Sequence, residues 1–466
     1  MTQAGAPHGV VVGDGAPADA FPLEYVSRTG EAPRVLLFSA RNAENNRALV
    51  TQFEFEDVVC ELDAVHMLAP RARAVSEARG LVERVVDQGR QRLLKRRKRP
   101  IIPTQTLPAG PFDLFFAVFH FPWQLAHLDA LPGWRERSRK AVCYLIEGWS
   151  RELPRYALYL RALDQFDRVF VLNRASIPKL REFTSAPLEF LPTATDTERF
   201  CPYPVEPERV VDVYSYGRRS PAAHAAMLAL ARRERFYYIY DTFGDAAVPD
   251  FRAHRELLAN HLKRARYTVS YPVNTGRAAR TGGEEALTTR YFEGAAAGAH
   301  QLGGAPATPE FYECFDWPDA VLDFPYEPAD VRAELAALEA QADRLALSRL
   351  NGITHSLRRH DWMHRWARVL EAAGLAPTAA MARRADRLEA LAQVAEADAG
   401  VRAGAPAVAA PRAELVGAGA ARPAPVRPRE PLQDSMFRKG GGRRCPNCSE
   451  LNPGTASVCV YCGERL

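Results

Sequence analysis

From Arg34 onward, short and almost uninterrupted apolar runs alternate with stretches of helical period. VLLFS at 35–39, VVCEL at 58–62, LFFAV at 114–118, AVCYLI at 141–146, RVFVL at 168–172 and LEFLP at 188–192 form a first series. Runs that lack the polar alternation of a half-exposed strand are expected of parallel strands covered on both faces. After the proline-rich CPYPVEPE at 201–208 the pattern restarts, with VDVYSYG at 211–217, FYYIYD at 236–241, YTVSYP at 267–272, AHQLG at 299–303 and AVLDF at 320–324. Two such series predict an α/β fold of two doubly wound, Rossmann-like domains facing a cleft, with ligands at the carboxyl ends of strands. Residues 328–350, with Val331, Leu335, Leu338 and Leu345, and residues 354–373, with Trp362 and Trp366, read as helices that close the second domain.

The flanks differ in character. Residues 1–32 are rich in Ala, Gly, Pro and Asp and are expected to be a disordered leader. The first domain is then 33–203 and the second 204–375. Between 376 and 443 an amphipathic helix at 378–399, through Met381, Leu388, Leu391 and Val394, gives way to a linker of Ala, Pro, Gly and Arg. A final module occupies 444–466.

Composition changes this picture little. A chain of 466 residues with 47% hydrophobic and 25% charged residues is an ordinary globular chain of more than one domain. A net charge of +5 is too weak to argue for nucleic acid and suits an anionic small ligand equally well. No apolar run reaches membrane-spanning length, and no secretory pattern opens the chain, so a cytoplasmic protein without a transmembrane segment is expected. Cys60, Cys143, Cys201 and Cys314 sit in apolar segments as reduced thiols would.

The other four cysteines carry the most specific chemistry. Cys445 and Cys448 form one C-x-x-C, Cys459 and Cys462 another, with ten residues between. Four thiolates complete a closed tetrahedral zinc shell, and so short a segment cannot fold on its apolar surface alone. CPNC, NP and C-x-x-CG resemble the small zinc-ribbon family. The resemblance implies structural zinc and a protein partner for the ribbon; a disulfide framework is the alternative. A closed shell leaves no position for catalysis.

The richest stretch for function is EEALTTRYFEGAAAGAHQL at 284–302. Thr288 or Thr289 can cap a helix whose first turns carry Arg290 and Glu293, followed by the small residues Ala295, Ala296, Ala297 and Gly298. A helix start offers unpaired N–H groups to a diphosphate, Arg290 adds a full charge, and a carboxylate can receive ribose hydroxyls. The bland alternative is a surface ion pair of Arg290 with Glu293 or Glu285.

Glu285 and Glu293, eight positions apart, with RYFEG followed by AAAGA and the downstream RLNGITHSLRRHDWMHRWARVLEAAG, resemble a group-1 glycosyltransferase of GT-B architecture, close to the family-4 type. FDRVFVLNRASIPKLREF at 166–183 and LEFLPTATDTERFCP at 188–202 are similar to the passage between its two domains. The resemblance implies sugar transfer from a nucleoside-diphosphate donor to an unknown acceptor, with retention and without a catalytic metal. Glu293 would hold the donor ribose and Glu285 would lie at the donor sugar. The backbone amides at 288–291 and Arg290 would face the diphosphate, Thr289 and Gly294 would belong to the donor site, and Arg218 and Arg219 after VDVYSYG stand where the family places a basic side chain that reaches the diphosphate. Two departures from the family stand out. His224 occupies the spacing where a Lys is usual, leaving Lys263 or Arg266 as substitutes, and SARNAENN at 39–46 lacks the family's glycine pair.

Other candidates follow predicted strand ends. His120 in FAVFHFPWQ could approach the donor sugar or take a proton from the acceptor; a satisfied core histidine is the alternative. Glu147 and Trp149 could line the acceptor side. His355, His360 and His364 do not make a metal face, and KRRKR at 95–99 reads as a solvated insertion. The rival functions are a non-catalytic nucleotide- or glycan-binding scaffold and a nucleic-acid binder; the second is disfavoured by the ribbon's few aromatics.

Overall fold

The computed structural model describes residues 22–27, 31–44, 47–73, 99–241, 248, 250–273, 275, 281–404, 443–444 and 451–452. Two compact units divide the chain, one of Met1–Asp241 and Ala247–Ala397 and the other of Thr242–Ala246 and Asp398–Leu466. In the first unit, twelve strands among the described residues form two sheets.

The first sheet orders its strands β1-β3-β2-β4-β5-β6-β7: β1 (Glu24–Val26), β2 (Val35–Phe38), β3 (Val65–Leu68), β4 (Phe112–Phe119), β5 (Ser138–Leu145), β6 (Arg168–Val171) and β7 (Leu188–Phe190). All neighbours are parallel except β1, which pairs antiparallel with β3 at the edge. Uninterrupted apolar runs suit this arrangement because both faces are covered. Leu114, Phe116 and Val118 of β4 point into one core, while Phe115, Ala117 and Phe119 point into the other.

The second sheet is wholly parallel and runs β12-β11-β10-β8-β9: β8 (Val211–Ser215), β9 (Tyr238–Tyr240), β10 (Ala265–Ser270), β11 (His300–Gly303) and β12 (Leu322–Asp323). Each sheet reverses its winding once. The chain leaves β2 for β3 on one side and returns for β4 on the other; it leaves β8 for β9 and returns for β10. Crevices open at these reversals, beyond the carboxyl ends of the central strands.

Several sequence expectations are corrected. VVCEL at 58–62 is the last part of a helix, Val50–Leu62, and the strand follows at β3. Phe55, Val58, Val59 and Leu62 recur at helical spacing and enter one core, so period outweighs the β-branched composition. Within the expected leader, residues 24–26 form the edge strand β1. The helices expected at 328–350 and 354–373 are three: Val331–Glu339, Ala342–Arg359 and Trp362–Ala373. The chain breaks at Asp361, whose side chain caps the last of these by accepting from the Met363 N–H.

Val331 and Leu335 do join the second sheet's core as expected, and the largest correction concerns what the Trp362–Ala373 helix covers. Trp362, Trp366, Val369 and Leu370 pack with β2, β4 and the Val50–Leu62 helix, so they complete the first sheet's core rather than the second's. Ala379–Gly404 forms where a helix was expected, and Met381, Leu388, Ala392 and Ala395 join the same core. Val394, expected on its apolar face, is exposed. Arg384 on this helix is buried against Asp361 and Asp196.

In the second unit, Arg443–Arg444 pairs antiparallel with Leu451–Asn452. Cys445, Cys448, Cys459 and Cys462 lie outside the described residues, as do 95–98 of the basic run. Among the described residues no group of metal-ligating side chains is found, and no helix is long and apolar enough to cross a membrane.

Candidate functional site

The crevice at the second sheet's reversal gathers much of the predicted constellation. β8 ends at Ser215 and is followed by Tyr216, Gly217, Arg218 and Arg219. Gly217 turns the chain with φ +69°, a conformation that glycine adopts at no steric cost, and its N–H donates to Asp241 at 3.0 Å. Across the crevice the Thr289–Ala296 helix begins, with Thr288 extended at its N-cap. The Thr288 hydroxyl is buried and has no hydrogen-bond partner.

Arg290 is 6% exposed, and its guanidinium donates to the Arg218 carbonyl at 2.8 Å and lies 3.5 Å from the Tyr271 carbonyl. Tyr271 directly follows β10, so the cation is pinned between the two strand ends that flank the reversal. It makes neither of the surface pairs with Glu285 or Glu293 that were the alternative.

Glu293, one turn along the helix, is only 2% exposed. Its carboxylate receives the Tyr216 hydroxyl at 2.8 Å and the Arg255 guanidinium. Arg255, from the Phe251–Lys263 helix, also donates to Glu54 at 2.6 and 3.0 Å. Glu54 lies on the Val50–Leu62 helix of the first half, so a buried Glu54–Arg255–Glu293 chain joins the two halves. Burial alone would raise the Glu54 carboxyl, but the Arg255 cation holds it below the usual carboxylate range. Burial, then the Glu293 carboxylate, pushes the Tyr216 phenol well up.

The remaining donor-side candidates are dispersed. Thr289 opens the helix as expected. Gly294 turns its bare Cα to the sheet, where a Cβ would come within 3.1 Å of Thr268 and Gln301, so the helix packs closely there. Arg219 folds back on Asp241 at 3.1 Å. His224 contacts the Tyr238 hydroxyl at 2.8 Å, and burial followed by the Arg219 charge lowers its pKa. Lys263 donates to the Arg199 carbonyl, and Arg266 pairs with Asp212 and Glu339, so both are structural.

Glu285 accepts from the Ala307 N–H at 2.8 Å and borders a cavity of about 10 Å³ with Arg174, Phe190 and Glu310, room for one water. Its neighbour Glu284 reaches the first half. Glu284 accepts from the Ser150 N–H at 3.1 Å and from Asn173 at 2.7 Å, at the carboxyl ends of β5 and β6. Sequence reasoning fixed on Glu285 because the family spacing singles it out.

His120, just past β4, is buried, and its Nε2 lies 3.7 Å from Glu147. The Glu147 N–H donates to the His120 carbonyl at 2.7 Å. His120 and Glu147 therefore sit together at the first sheet, and the same loop reaches Glu284 through Ser150. Trp149 is buried. The His360 Nε2–H donates to the Cys314 carbonyl at 2.8 Å, and His355 stacks on Trp317.

Tyr216, Arg255, Glu54 and Glu284 were missed. Only Tyr216 had a local signal, since it lies in the strand-end run VDVYSYG. The others gain their roles from tertiary proximity.

Residues 219–371 match the family model described as glycosyl transferase-like, a segment that spans most of the second sheet and its flanking helices. No curated protein matches the chain. Among solved structures the chain is similar to HepE of Anabaena in complex with UDP-glucose, at 12% identity over 72% of this chain and 99% of that one, with a TM-score of 0.40. An alpha-glucosyltransferase in complex with UDP and a 13-mer DNA containing a HMU base is similar at 9% identity, over 74% and 100% of the two chains, with a TM-score of 0.43. The pneumococcal O-GlcNAc transferase GtfA in complex with UDP and GlcNAc shares 12% identity over 57% of each chain, at a TM-score of 0.34.

Proposed function

We propose that this protein is a glycosyltransferase that moves a sugar from a nucleoside-diphosphate donor to an acceptor held by the first half, with retention and without a catalytic metal. The match of residues 219–371 to a glycosyl transferase-like family supports the class. The observation that carries the reading to a site is Arg290, pinned between the Arg218 and Tyr271 carbonyls at the mouth of the second crevice.

In this reading the diphosphate lies against Gly217, the N–H groups opening the Thr289–Ala296 helix, and the charges of Arg290 and Arg218. These groups would stabilise the negative charge that grows on the leaving diphosphate, an electrostatic contribution of about 3–4 kcal/mol per well-aimed donor. Glu293 would receive ribose hydroxyls by exchanging its hydrogen bond from Tyr216 for one from the ligand, while its ion pair with Arg255 is kept. Glu285 would border the donor sugar and His120 the acceptor side.

Thermal unfolding of the full chain with a panel of nucleoside-diphosphate sugars tests the reading. A donor-specific rise in Tm that shrinks in Arg218→Gln and disappears in Glu293→Gln is expected, together with donor turnover. A second reading, a nucleotide-binding scaffold without turnover, is favoured by one observation: both Glu293 oxygens are engaged by the protein itself. A donor shift without hydrolysis or transfer would select it, and no shift with any donor would sink both.

For the second unit, we propose that Cys445, Cys448, Cys459 and Cys462 hold a structural zinc and that the ribbon docks a protein partner. The antiparallel pairing of 443–444 with 451–452, which flank the first C-x-x-C in sequence, supports this reading. Chelation should unfold the ribbon and leave donor affinity unchanged; loss of donor binding on chelation would show the two sites to be coupled.

A further inference from the structure

We infer that Arg255, itself held by Glu54 of the first half, is a positioning residue: it aims the Glu293 carboxylate at the donor ribose and so sets a preference for ribonucleotide over 2′-deoxyribonucleotide donors. The inference rests on the reading in which Glu293 receives ribose hydroxyls, and it names what decides that contact.

Arg255 is 1% exposed, and every nitrogen of its guanidinium is engaged. Nε and Nη2 donate to the two oxygens of Glu54 at 2.6 and 3.0 Å, and Nη2 also reaches the Thr195 hydroxyl at 3.1 Å. The remaining Nη1 pairs with Oε1 of Glu293. A planar cation clamped along one edge presents its other donor in one direction. Oε1 of Glu293 is thereby occupied, and Oε2 is turned to the Tyr216 hydroxyl just past β8, at 2.8 Å, where a ribose hydroxyl would take the place of the phenol.

Glu54 is fixed in turn. Its carboxylate also receives the Asp196 N–H at 2.9 Å, the Trp362 indole N–H at 3.0 Å and Arg199 at 3.0 Å. These partners stand where the chain crosses between the halves. The Thr195 N–H donates to the His360 carbonyl at 3.2 Å and the Trp362 N–H to the Thr195 carbonyl at 3.3 Å, so the outgoing and returning segments are bonded side by side. The aim of Glu293 is therefore referenced to this double crossing rather than to the Thr289–Ala296 helix alone. A guanidinium that only filled a buried gap would stabilise the fold and treat ribose and deoxyribose alike.

Titration calorimetry of the full chain with UDP, GDP and ADP and their 2′-deoxy counterparts separates the two roles. The wild type should bind its preferred ribonucleotide about tenfold or more tighter than the deoxy form, the worth of a hydroxyl donated to a carboxylate. Arg255→Lys keeps a buried cation but loses the fork, so the ratio should fall to about twofold through weaker ribonucleotide binding, with the deoxy form bound as before. Arg252→Gln, which breaks the ion pair of the same helix with Asp57 of the first half, should leave the ratio unchanged. If Arg255→Lys does not fold, Glu54→Gln decides, with an expected fall in the ratio of about threefold or more. A wild-type ratio near one, a ratio retained in the folded variants, or equal weakening of both forms would overturn the inference, and diphosphate binding by the wild type would then leave the glycosyltransferase reading standing. No diphosphate bound by the wild type would remove that reading and the inference with it.

Discussion

The two sheets reverse their winding in the same way and furnish the resulting crevices in opposite ways. At β8 and β10 the crevice is cationic: Arg290 is fixed by two backbone carbonyls, and Glu293 is sealed beneath by Tyr216 and Arg255. At β2 and β4 it is aromatic and acidic, with Phe121, Trp123, Glu44 and Glu147. One topology thus supplies two crevices that differ in side-chain chemistry. The crevices are not independent, because Glu54 of the first half anchors Arg255, which anchors Glu293.

Breaking that anchor is expected to have the largest effect. Glu54→Ala leaves Arg255 buried with one partner fewer and should cost about 3–5 kcal/mol in urea unfolding. A loss below about 1 kcal/mol would mean that the halves are coupled elsewhere, for example through Glu284. Glu293→Gln separates ligand from scaffold. It keeps the shape while halving the charge pairing of Arg255, so donor affinity should fall tenfold or more, with a stability cost of about 1–3 kcal/mol. Equal donor affinity in this variant would assign Glu293 to the scaffold alone.

Tyr216→Phe is a finer probe of the same oxygen. Removing one hydrogen bond to a carboxylate should cost about 1.5 kcal/mol of stability, yet free Glu293 for a ribose, so donor affinity should hold or improve. Weaker donor binding would show that the phenol itself touches the ligand.

The last expected effect is confined to acid conditions. His300 on β11 is 5% exposed, and burial, then the Arg349 charge, pushes its pKa down to about 3. The unfolded chain takes up that proton near pH 6.5, so stability is lost as pH falls from about 6.5 toward 3. His300→Gln should flatten this limb in Tm measured against pH. Glu54, whose pKa is depressed, acts lower down: its contribution is whole above about pH 4.3 and lost only below it. Destabilisation that begins only below pH 4.3 in the wild type would remove His300 from the account.

Most of the strand framework was legible because buried parallel strands leave continuous apolar runs, and ten of the eleven expected runs became strands. The failure at 58–62 arose where Val58 and Val59 belong equally to a β-branched run and to a helical stripe. Within the site, Arg290 and the helix start followed from local capping and charge. Arg255 and Glu54 did not, since each reads in isolation as a surface helix charge and becomes a core residue only through partners up to 308 positions away. The exchange of helices between halves was equally invisible, because an amphipathic stripe records that a helix is covered and not by what.

That exchange bears on how the molecule comes into being. The first sheet emerges from the ribosome long before Trp362, Trp366, Met381 and Leu388, the residues that finish its core. Domains usually mature in order of synthesis, but here the earliest strands must wait, with one face uncovered, until the second sheet has been made. A fragment ending near Cys201 should accordingly bind hydrophobic dyes or recruit chaperones, whereas adding a peptide of residues 360–397 should rescue it. The polypeptide closes as a loop in time as well as in space, and helices made late serve as the latch for its earliest sheet.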